Sequence, residues 1–445
     1  MGKLFGTDGI RGVANETLDA KLAYRVGQAA AISLCDDPGT KPTVVIGKDT
    51  RISSDMLEGA LVAGLTACGC NAILLGVVPT PAVAYLTIYL HADAGVVISA
   101  SHNPYEHNGI KMFSSEGFKL NDALEACIEE LILQDGELPV KTHGEIGQVM
   151  SGSFAAEYYL DHLASTVDGL EPLRVLIDCA NGASAVVAQK LFPRLGAKCT
   201  FLGISPDGEN INKGVGSTHL DNLEKAVVAG GFDCGIAFDG DADRCLGCDE
   251  KGQEMDGDKI IALLAMTMKE KGRLDGDTAV VTVMSNLGFI KYMESQGINT
   301  EKTAVGDRYV LERMLADGAV IGGEQSGHII FLEHNTTGDG LVTALQLLAV
   351  LKRTGRTLTD LAGIMKKYPQ VLVNVHSDNK AGLDDCQPIW DAVAAAEKEL
   401  DGRGRILVRP SGTEPLVRVM AEAETHELTQ RVVDDIVEVV KRELP

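Results

Sequence analysis

Aromatic residues are scarce in this 445-residue chain, at 4% with a single tryptophan. That disfavours a sandwich or barrel cored by large rings. Alanine- and valine-rich α/β layers suit the 49 glycines and 45% hydrophobic content better. Positive charge is also short, with 40 basic against 63 acidic residues and a net charge of −23. No basic block offsets that field, so nucleic acid and anionic membranes are poor partners. An anionic small molecule remains compatible, because screening confines surface fields to about 8 Å at physiological salt and a local arginine cluster can dominate a cleft. A paired cysteine framework is missing too. The ten cysteines are scattered, as in reduced cytosolic proteins, and Asn-x-Thr at Asn15 and Asn335 then reads as a chance glycosylation match. Met1 to Thr7 lacks the apolar core of a secretory signal, and a cytoplasmic location is expected. One long uncharged run exists, between Glu58 and His91. Gly69-Cys70-Asn71 and Pro79-Thr80-Pro81 cut it into a helix, a buried strand and a second helix, not a membrane span.

What is present is a repeated scheme on a chain too long for one core. Leu18, Leu22, Val26, Ala30 and Leu34 form one apolar face of a helix. Thr43 to Ile46 reads as a strand entering Gly47-Lys48-Asp49-Thr50-Arg51, and Gly95 to Ile98 as a strand ending in Ser99-Ala100-Ser101-His102-Asn103-Pro104. Those polar residues favour turns and helix starts, so a helix N-terminus after Ser101 is expected to offer amides to a phosphate. Ser101 itself is expected to be an exposed loop hydroxyl. Asp93, Asp233 and Asp317 each precede small residues and an apolar strand that emerges in a polar loop. Three related α/β units, each presenting one loop from a strand end, account for this. The polar segment from Gln134 to Ser153 reads as a boundary. From about Tyr368 a strand–loop–strand–helix tail follows, closed by Leu428, Val432, Ile436 and Val440 on one helix face. The expected domains are therefore 1–150, 151–252, 253–367 and a smaller α+β tail at 368–445.

Four loops carry chemistry. Asp239, Asp241 and Asp243 alternate after a strand and are hard oxygen donors suited to Mg²⁺ or Ca²⁺. A calcium-binding EF-hand loop would explain these acids and Glu250 at position twelve, but it demands Gly where Arg244 stands and a helix where a strand precedes. An Asp-nucleophile phosphatase of the haloacid dehalogenase type also places Asp-x-Asp after a strand. It wants Thr or Val where this chain has Asp243, and the motif alone leaves it open. Cys245 and Cys248 lack two further ligands at zinc spacing and read as reduced thiols continuing a strand. Arg409-Pro410-Ser411-Gly412-Thr413-Glu414-Pro415 with Arg418 has the donors of an anion cradle, although an ordinary hairpin turn would look similar. Glu324-Gln325-Ser326-Gly327-His328 sets a carboxylate beside a hydroxyl, apt for sugar hydroxyls or an ammonium group.

Together the loops Ser-Ala-Ser-His-Asn-Pro, Asp-Gly-Asp-Ala-Asp-Arg, Gly-Glu-Gln-Ser-Gly-His and Arg-Pro-Ser-Gly-Thr-Glu-Pro resemble the α-D-phosphohexomutase superfamily over essentially the whole chain. Phe5 to Gly12, Val305-Gly306-Asp307-Arg308-Tyr309 and Gln325 look most like its glucosamine-phosphate branch. Ala242 stands where the family often has Gly. The resemblance implies three related α/β domains plus a smaller tail domain, and interconversion of glucosamine 6-phosphate and glucosamine 1-phosphate through a phosphoserine and a bisphosphate. That reaction would serve synthesis of amino-sugar nucleotides such as UDP-N-acetylglucosamine. It implies that Ser101 carries the phosphoryl group and that one Mg²⁺ is held by Ser101, Asp239, Asp241 and Asp243. His102, Lys111 and Arg11 would neighbour the transfer. Arg244, Glu324, Ser326, His328, Arg409, Ser411, Gly412, Thr413 and Arg418 would bind a small sugar phosphate. A monomer or homodimer is expected, and a glucose or mannose phosphomutase is the alternative within the class.

Overall fold

Gly95-Val96-Val97-Ile98 forms the strand expected of an uninterrupted β-branched run, buried along its whole length. It is one strand of a computed structural model that describes residues 4–6, 8–34, 40–411 and 415–444. The backbone divides into two compact units, Met1–Val283 with Asn299–Gly363, and Met284–Ile298 with Ile364–Pro445. Among the described residues no helix is long and apolar enough to cross a membrane.

The first unit holds three sheets. Strands β1 (Phe5–Gly6), β2 (Gly9–Val13), β3 (Thr43–Lys48), β4 (Asn71–Val77), β5 (Ala94–Ile98), β6 (His107–Ser114) and β7 (Val149–Ser151) lie in the order β1-β2-β6-β5-β3-β4-β7. Strands β8 (Arg174–Asp178), β9 (Lys198–Leu202), β10 (Cys234–Phe238), β11 (Cys245–Asp249) and β12 (Glu254–Met255) are ordered β12-β11-β10-β8-β9. Strands β13 (Thr278–Thr282), β14 (Asn299–Thr303), β15 (Ile321–Gly323) and β16 (Ile329–Phe331) are ordered β14-β13-β15-β16. The threefold pattern in the sequence is thus a threefold topology. Each sheet contains β4-β3-β5-β6 or its equivalent, β9-β8-β10-β11 or β14-β13-β15-β16. Three parallel strands are followed by one antiparallel return. The polar loops lie at that return, beyond the carboxyl end of a parallel strand, where open α/β sheets place ligands.

The aspartates that begin the repeats have a structural role in the first two sheets. Asp93 Oδ2 accepts from the Thr43 amide at 2.7 Å, and Asp233 Oδ2 accepts from the Arg174 amide at 2.8 Å. Each fixes the start of the neighbouring parallel strand. Asp317 instead takes a bond from Arg313 Nε at 2.6 Å.

Two expectations need correction. No helix follows Ser101, because the chain turns and returns as β6. Ser101 has a left-handed φ of 52°, and the loop carbonyls that would feed a helix are taken by Arg51, as described below. Ser101 is also not exposed, at 1% of its accessible surface. Within the segment Gln134–Ser153, β7 also adds a short parallel edge strand against β4. The opening helix runs Ala20–Ser33, with Asp19 capping the Leu22 amide.

The second unit is a three-stranded antiparallel sheet of β17 (Gln370–His376), β18 (Gly404–Pro410) and β19 (Leu416–Ala423), ordered β17-β19-β18. Helices Gln387–Leu400 and His426–Glu443 pack on it through Ile389, Val393, Val432, Ile436 and Val440. Buried Glu422 accepts from Asn286 Nδ2 at 3.1 Å, the Leu287 amide at 2.8 Å and Arg405 Nε at 2.6 Å. Helix Leu287–Ser295 is thereby tied to this unit through its first turn.

Candidate active site

The return loops of the three sheets in the first unit meet in one buried centre. Ser101, three residues past β5, donates from Oγ to Asp239 Oδ2 at 2.6 Å and lies 3.3 Å from His102 Nδ1. Asp239, Asp241 and Asp243 follow β10 with ligand oxygens within 4.8 Å of one another. Ala242 takes a φ of 58°, which turns the loop so that alternate carboxylates face inward. Lys111, on β6, places Nζ 2.9 Å from Asp241 Oδ2, 3.2 Å from Asp8 Oδ2 and 3.7 Å from Asp243 Oδ2. Thr80 Oγ1 donates to the same Asp241 oxygen at 2.7 Å. From the third sheet, His328 Nδ1 stands 3.5 Å from Asp243 Oδ2, and residues 244 and 328 form a backbone bridge between loops.

Charge is unevenly shared among the three acids. Burial pushes the Asp239 carboxyl well above the usual range, and the charges of Asp243 and Asp241 add to the effect. For Asp243 burial works in the same direction but is outweighed by Lys111, His328 and Arg244, which hold it well below. Burial lowers Lys111 less than Asp241, Asp8 and Asp243 raise it, so it stays a cation. His102 is brought down to about 4 by burial, with Arg244 and Arg11 adding their repulsion, and is neutral at pH 7. Lysine 111 alone does not satisfy the three acids.

Among the described residues, these buried atoms of the centre make no hydrogen bond: Oδ1 of Asp241, Oδ1 of Asp243, and Nε of Arg11 and of Arg244. Buried polar atoms are nearly always paired. Two acceptors without a donor, on a set of hard oxygen ligands, fit a divalent cation, and two guanidinium donors without an acceptor fit an anion. The residues present therefore suit a metal together with a phosphoryl group.

Glu324, on the third return loop, accepts from the Gly306 amide at 3.2 Å, and Ser326 Oγ lies 3.4 Å from it. Arg244 feels the charge of Glu324, which joins the third return loop electrostatically to the aspartate loop. Sequence reasoning assigned no role to the network that closes this side. Lys119 Nζ bonds Asp8 Oδ1 and Asp307 Oδ2, both at 2.6 Å, and Asp307 Oδ2 lies 3.5 Å from His328 Nε2. Asp8, Lys111, Asp243, His328, Asp307 and Lys119 thus form a closed ring of charged and titratable groups drawn from all three sheets. Asp8 and Asp307 lie within segments that marked the glucosamine branch, a signal of importance without a role.

In the second unit, β18 and β19 form a hairpin in which Arg409 is paired directly with Arg418 across the ladder. Like charges opposite each other in an antiparallel pair are destabilising. Burial, and then Arg418, shift Arg409 below its ordinary value. Arg418 Nη2 reaches Ser411 Oγ at 3.5 Å, and Lys380 Nζ bonds the Ser411 carbonyl at 2.7 Å. Two guanidiniums, an ammonium and a hydroxyl gathered at one hairpin end offer donors that fit an anion. Gly412 and Thr413 lie outside the described residues.

Models of the four phosphoglucomutase/phosphomannomutase domains match in order: alpha/beta/alpha domain I at residues 2–138, domain II at 157–252, domain III at 256–368 and the C-terminal domain at 372–439. The chain is 52% identical over 448 residues to a phosphoglucosamine mutase of Acetivibrio thermocellus, covering 100% of both. It is 51% identical over 446 residues to a phosphoglucosamine mutase of Bacillus subtilis, covering 100% of this chain and 99% of that one. A solved phosphoglucomutase/phosphomannomutase family protein from Burkholderia thailandensis superposes with a TM-score of 0.83 at 25% identity, over 100% of this chain and 98% of that one.

Proposed function

This chain belongs to the phosphoglucosamine mutases of the phosphoglucomutase/phosphomannomutase family, and from that premise we propose which of its residues interconvert glucosamine 6-phosphate and glucosamine 1-phosphate. Ser101 carries the phosphoryl group. The supporting observation is the buried serine hydroxyl bonded to Asp239, the first acid of a triad whose other two members each keep a buried oxygen without a hydrogen-bond donor among the described residues. Asp239, Asp241 and Asp243, with the phosphoserine oxygen, would hold one Mg²⁺. When bound, that ion supplies neutralisation of charge on the phosphoryl oxygens.

In the first half-reaction the bond between Ser101 Oγ and phosphorus breaks and a bond from phosphorus to the free sugar hydroxyl forms. Neutral His102 takes the hydroxyl proton, and the departing Ser101 Oγ, 3.3 Å from His102 Nδ1, receives a proton in return and becomes the free serine hydroxyl, while Lys111, Arg11 and Arg244 balance the anionic group. The bisphosphate then reorients, and Ser101 takes the other phosphate. Glu324, Ser326 and His328 bind sugar hydroxyls or the ammonium. Arg409, Ser411, Gly412, Thr413 and Arg418 bind the phosphate that is not being transferred, where relief of the Arg409–Arg418 repulsion favours the anion. The reaction belongs to a cytoplasmic amino-sugar route. Phosphopeptide mapping after incubation with the bisphosphate should find acid-stable phosphate on Ser101. Phosphate on Asp239 would instead favour the Asp-nucleophile phosphatase reading. Turnover of glucosamine phosphates should exceed that of glucose and mannose phosphates, and the reverse order would contradict the assigned sugar.

A further inference from the structure

Beneath the Ser101 loop sits a buried arginine that the reaction as described does not use. Arg51 follows β3 and is 2% exposed. All five of its N–H groups are engaged. Nε donates to Asp49 Oδ2 at 2.8 Å, Nη1 to the Pro104 and His107 carbonyls at 2.5 and 3.1 Å, and Nη2 to the Ser101 and Asn103 carbonyls, both at 2.8 Å. Four of these bonds go to one loop, the loop that carries the phosphoryl acceptor. Asp49 extends the grip by accepting from the Arg51 amide, Ser54 Oγ and Ser99 Oγ. Ser99 Oγ in turn accepts from the Ser101 amide at 3.0 Å. From the second sheet's side, Asn212 Nδ2 bonds the same Ser101 and Asn103 carbonyls at 2.9 and 3.2 Å. Gly240 admits this convergence, since a Cβ there would stand 2.7 Å from the Ser101 carbonyl oxygen.

Resting on the reading of Ser101 as phosphoryl carrier, we propose that Arg51 is a positioning residue for the transfer. Its planar fork gathers four carbonyls of the loop and holds Ser101 in its left-handed turn with Oγ aimed at Asp239. With both the amide and the carbonyl of Ser101 pinned, only the side-chain torsions are left to vary. In-line transfer is sensitive to such aim, because a misplacement of about 1 Å can cost on the order of 10²-fold in rate. Lysine, with one point charge and three donors on a single nitrogen, cannot span carbonyls from both branches of the fork.

The test compares the parent with Arg51→Lys and Ser99→Ala, each purified as the full chain. Single-turnover phosphorylation of Ser101 by glucosamine 1,6-bisphosphate is followed by intact mass, beside steady-state kinetics and the Mg²⁺-induced shift in Tm. R51K should slow phosphorylation and kcat by roughly 10- to 100-fold, with KM and the Mg²⁺-induced shift close to parental. S99A should move both in the same direction by less. Parental phosphorylation rates in R51K overturn the proposal, as does a loss of Mg²⁺ response proportional to the loss of rate, which would mark a merely structural role. If R51K does not fold, S99A decides, and a parental rate in it overturns the proposal. A parent that takes no phosphate on Ser101 overturns the underlying reading instead, so the two failures are distinguishable.

Discussion

Lys111 lies between Asp241, Asp8 and Asp243, whereas Arg409 lies across the β18–β19 ladder from Arg418. Both regions are suited to phosphate, yet they prepare for it differently. The Ser101 centre is largely neutralised within itself: its cations have acids and its hydroxyl has Asp239. The hairpin instead sets two guanidiniums opposite each other on neighbouring strands. Chemistry needs groups fixed before the reacting bond arrives, so a site that performs transfer is cross-tied. A site that must hold and then release one end of a substrate needs only an electrostatic deficit that the ligand fills. Mutation should therefore act oppositely on stability in the two places.

The largest effect belongs to Ser101→Ala. It should abolish isomerisation and, because Oγ is buried against Asp239, also lower stability by about 0.5–1.5 kcal/mol, the scale of a single hydrogen bond. Chemical denaturation beside the activity assay checks this, and an unchanged midpoint would show that the Ser101–Asp239 bond contributes nothing in solution. Next comes removal of the cation. Treatment with chelator should stop turnover and lower Tm. Restoring Mg²⁺ to about 100 times its Kd should return roughly 2.7 kcal/mol of stability. In Asp241→Asn that thermal response should shrink while sugar-phosphate binding persists, and an undiminished response would remove Asp241 from the metal set.

Arg418→Ala should weaken sugar-phosphate binding by about 1.5–3 kcal/mol and release more glucosamine 1,6-bisphosphate during turnover. Equal leakage from mutant and parent would contradict an anchoring role. The smallest effect sharpens the comparison most. Removing Arg418 deletes a cross-strand like-charge pair, so the folded tail should gain about 0.2–1 kcal/mol. A loss of stability instead would mean that the hairpin is cross-tied like the Ser101 centre.

Much of this was legible because the chemistry sits where strands end. An apolar run closing in Ser-His-Asn or in alternating aspartates announces both the strand and its loop, and three such runs announce the repeat. Ser101, Asp239, Asp241, Asp243 and His328 were singled out that way, and Lys111 only through the family resemblance. Arg51, Asn212, Thr80 and Lys119 were not. Each acts through burial across a long sequence separation, as Asn212 does on a carbonyl 111 residues away, and a lone arginine after a strand carries no local mark of that. The expected exposure of Ser101 failed for the same reason. A turn-forming sequence tells that a loop exists, not that a second sheet covers it.

The ring from Asp8 through Lys111, Asp243, His328, Asp307 and Lys119 has a consequence for how the molecule matures. Its members come from three sheets that are separate in sequence, so no nascent segment shorter than residues 8–328 contains all of them. During synthesis the first two sheets would expose carboxylates and a lysine whose partners have not yet left the ribosome. Assembly of the centre therefore reports completion of the third layer. A chain truncated after residue 252 would keep Ser101 and every aspartate of the triad, yet it would lack the closure that keeps those charges together out of water.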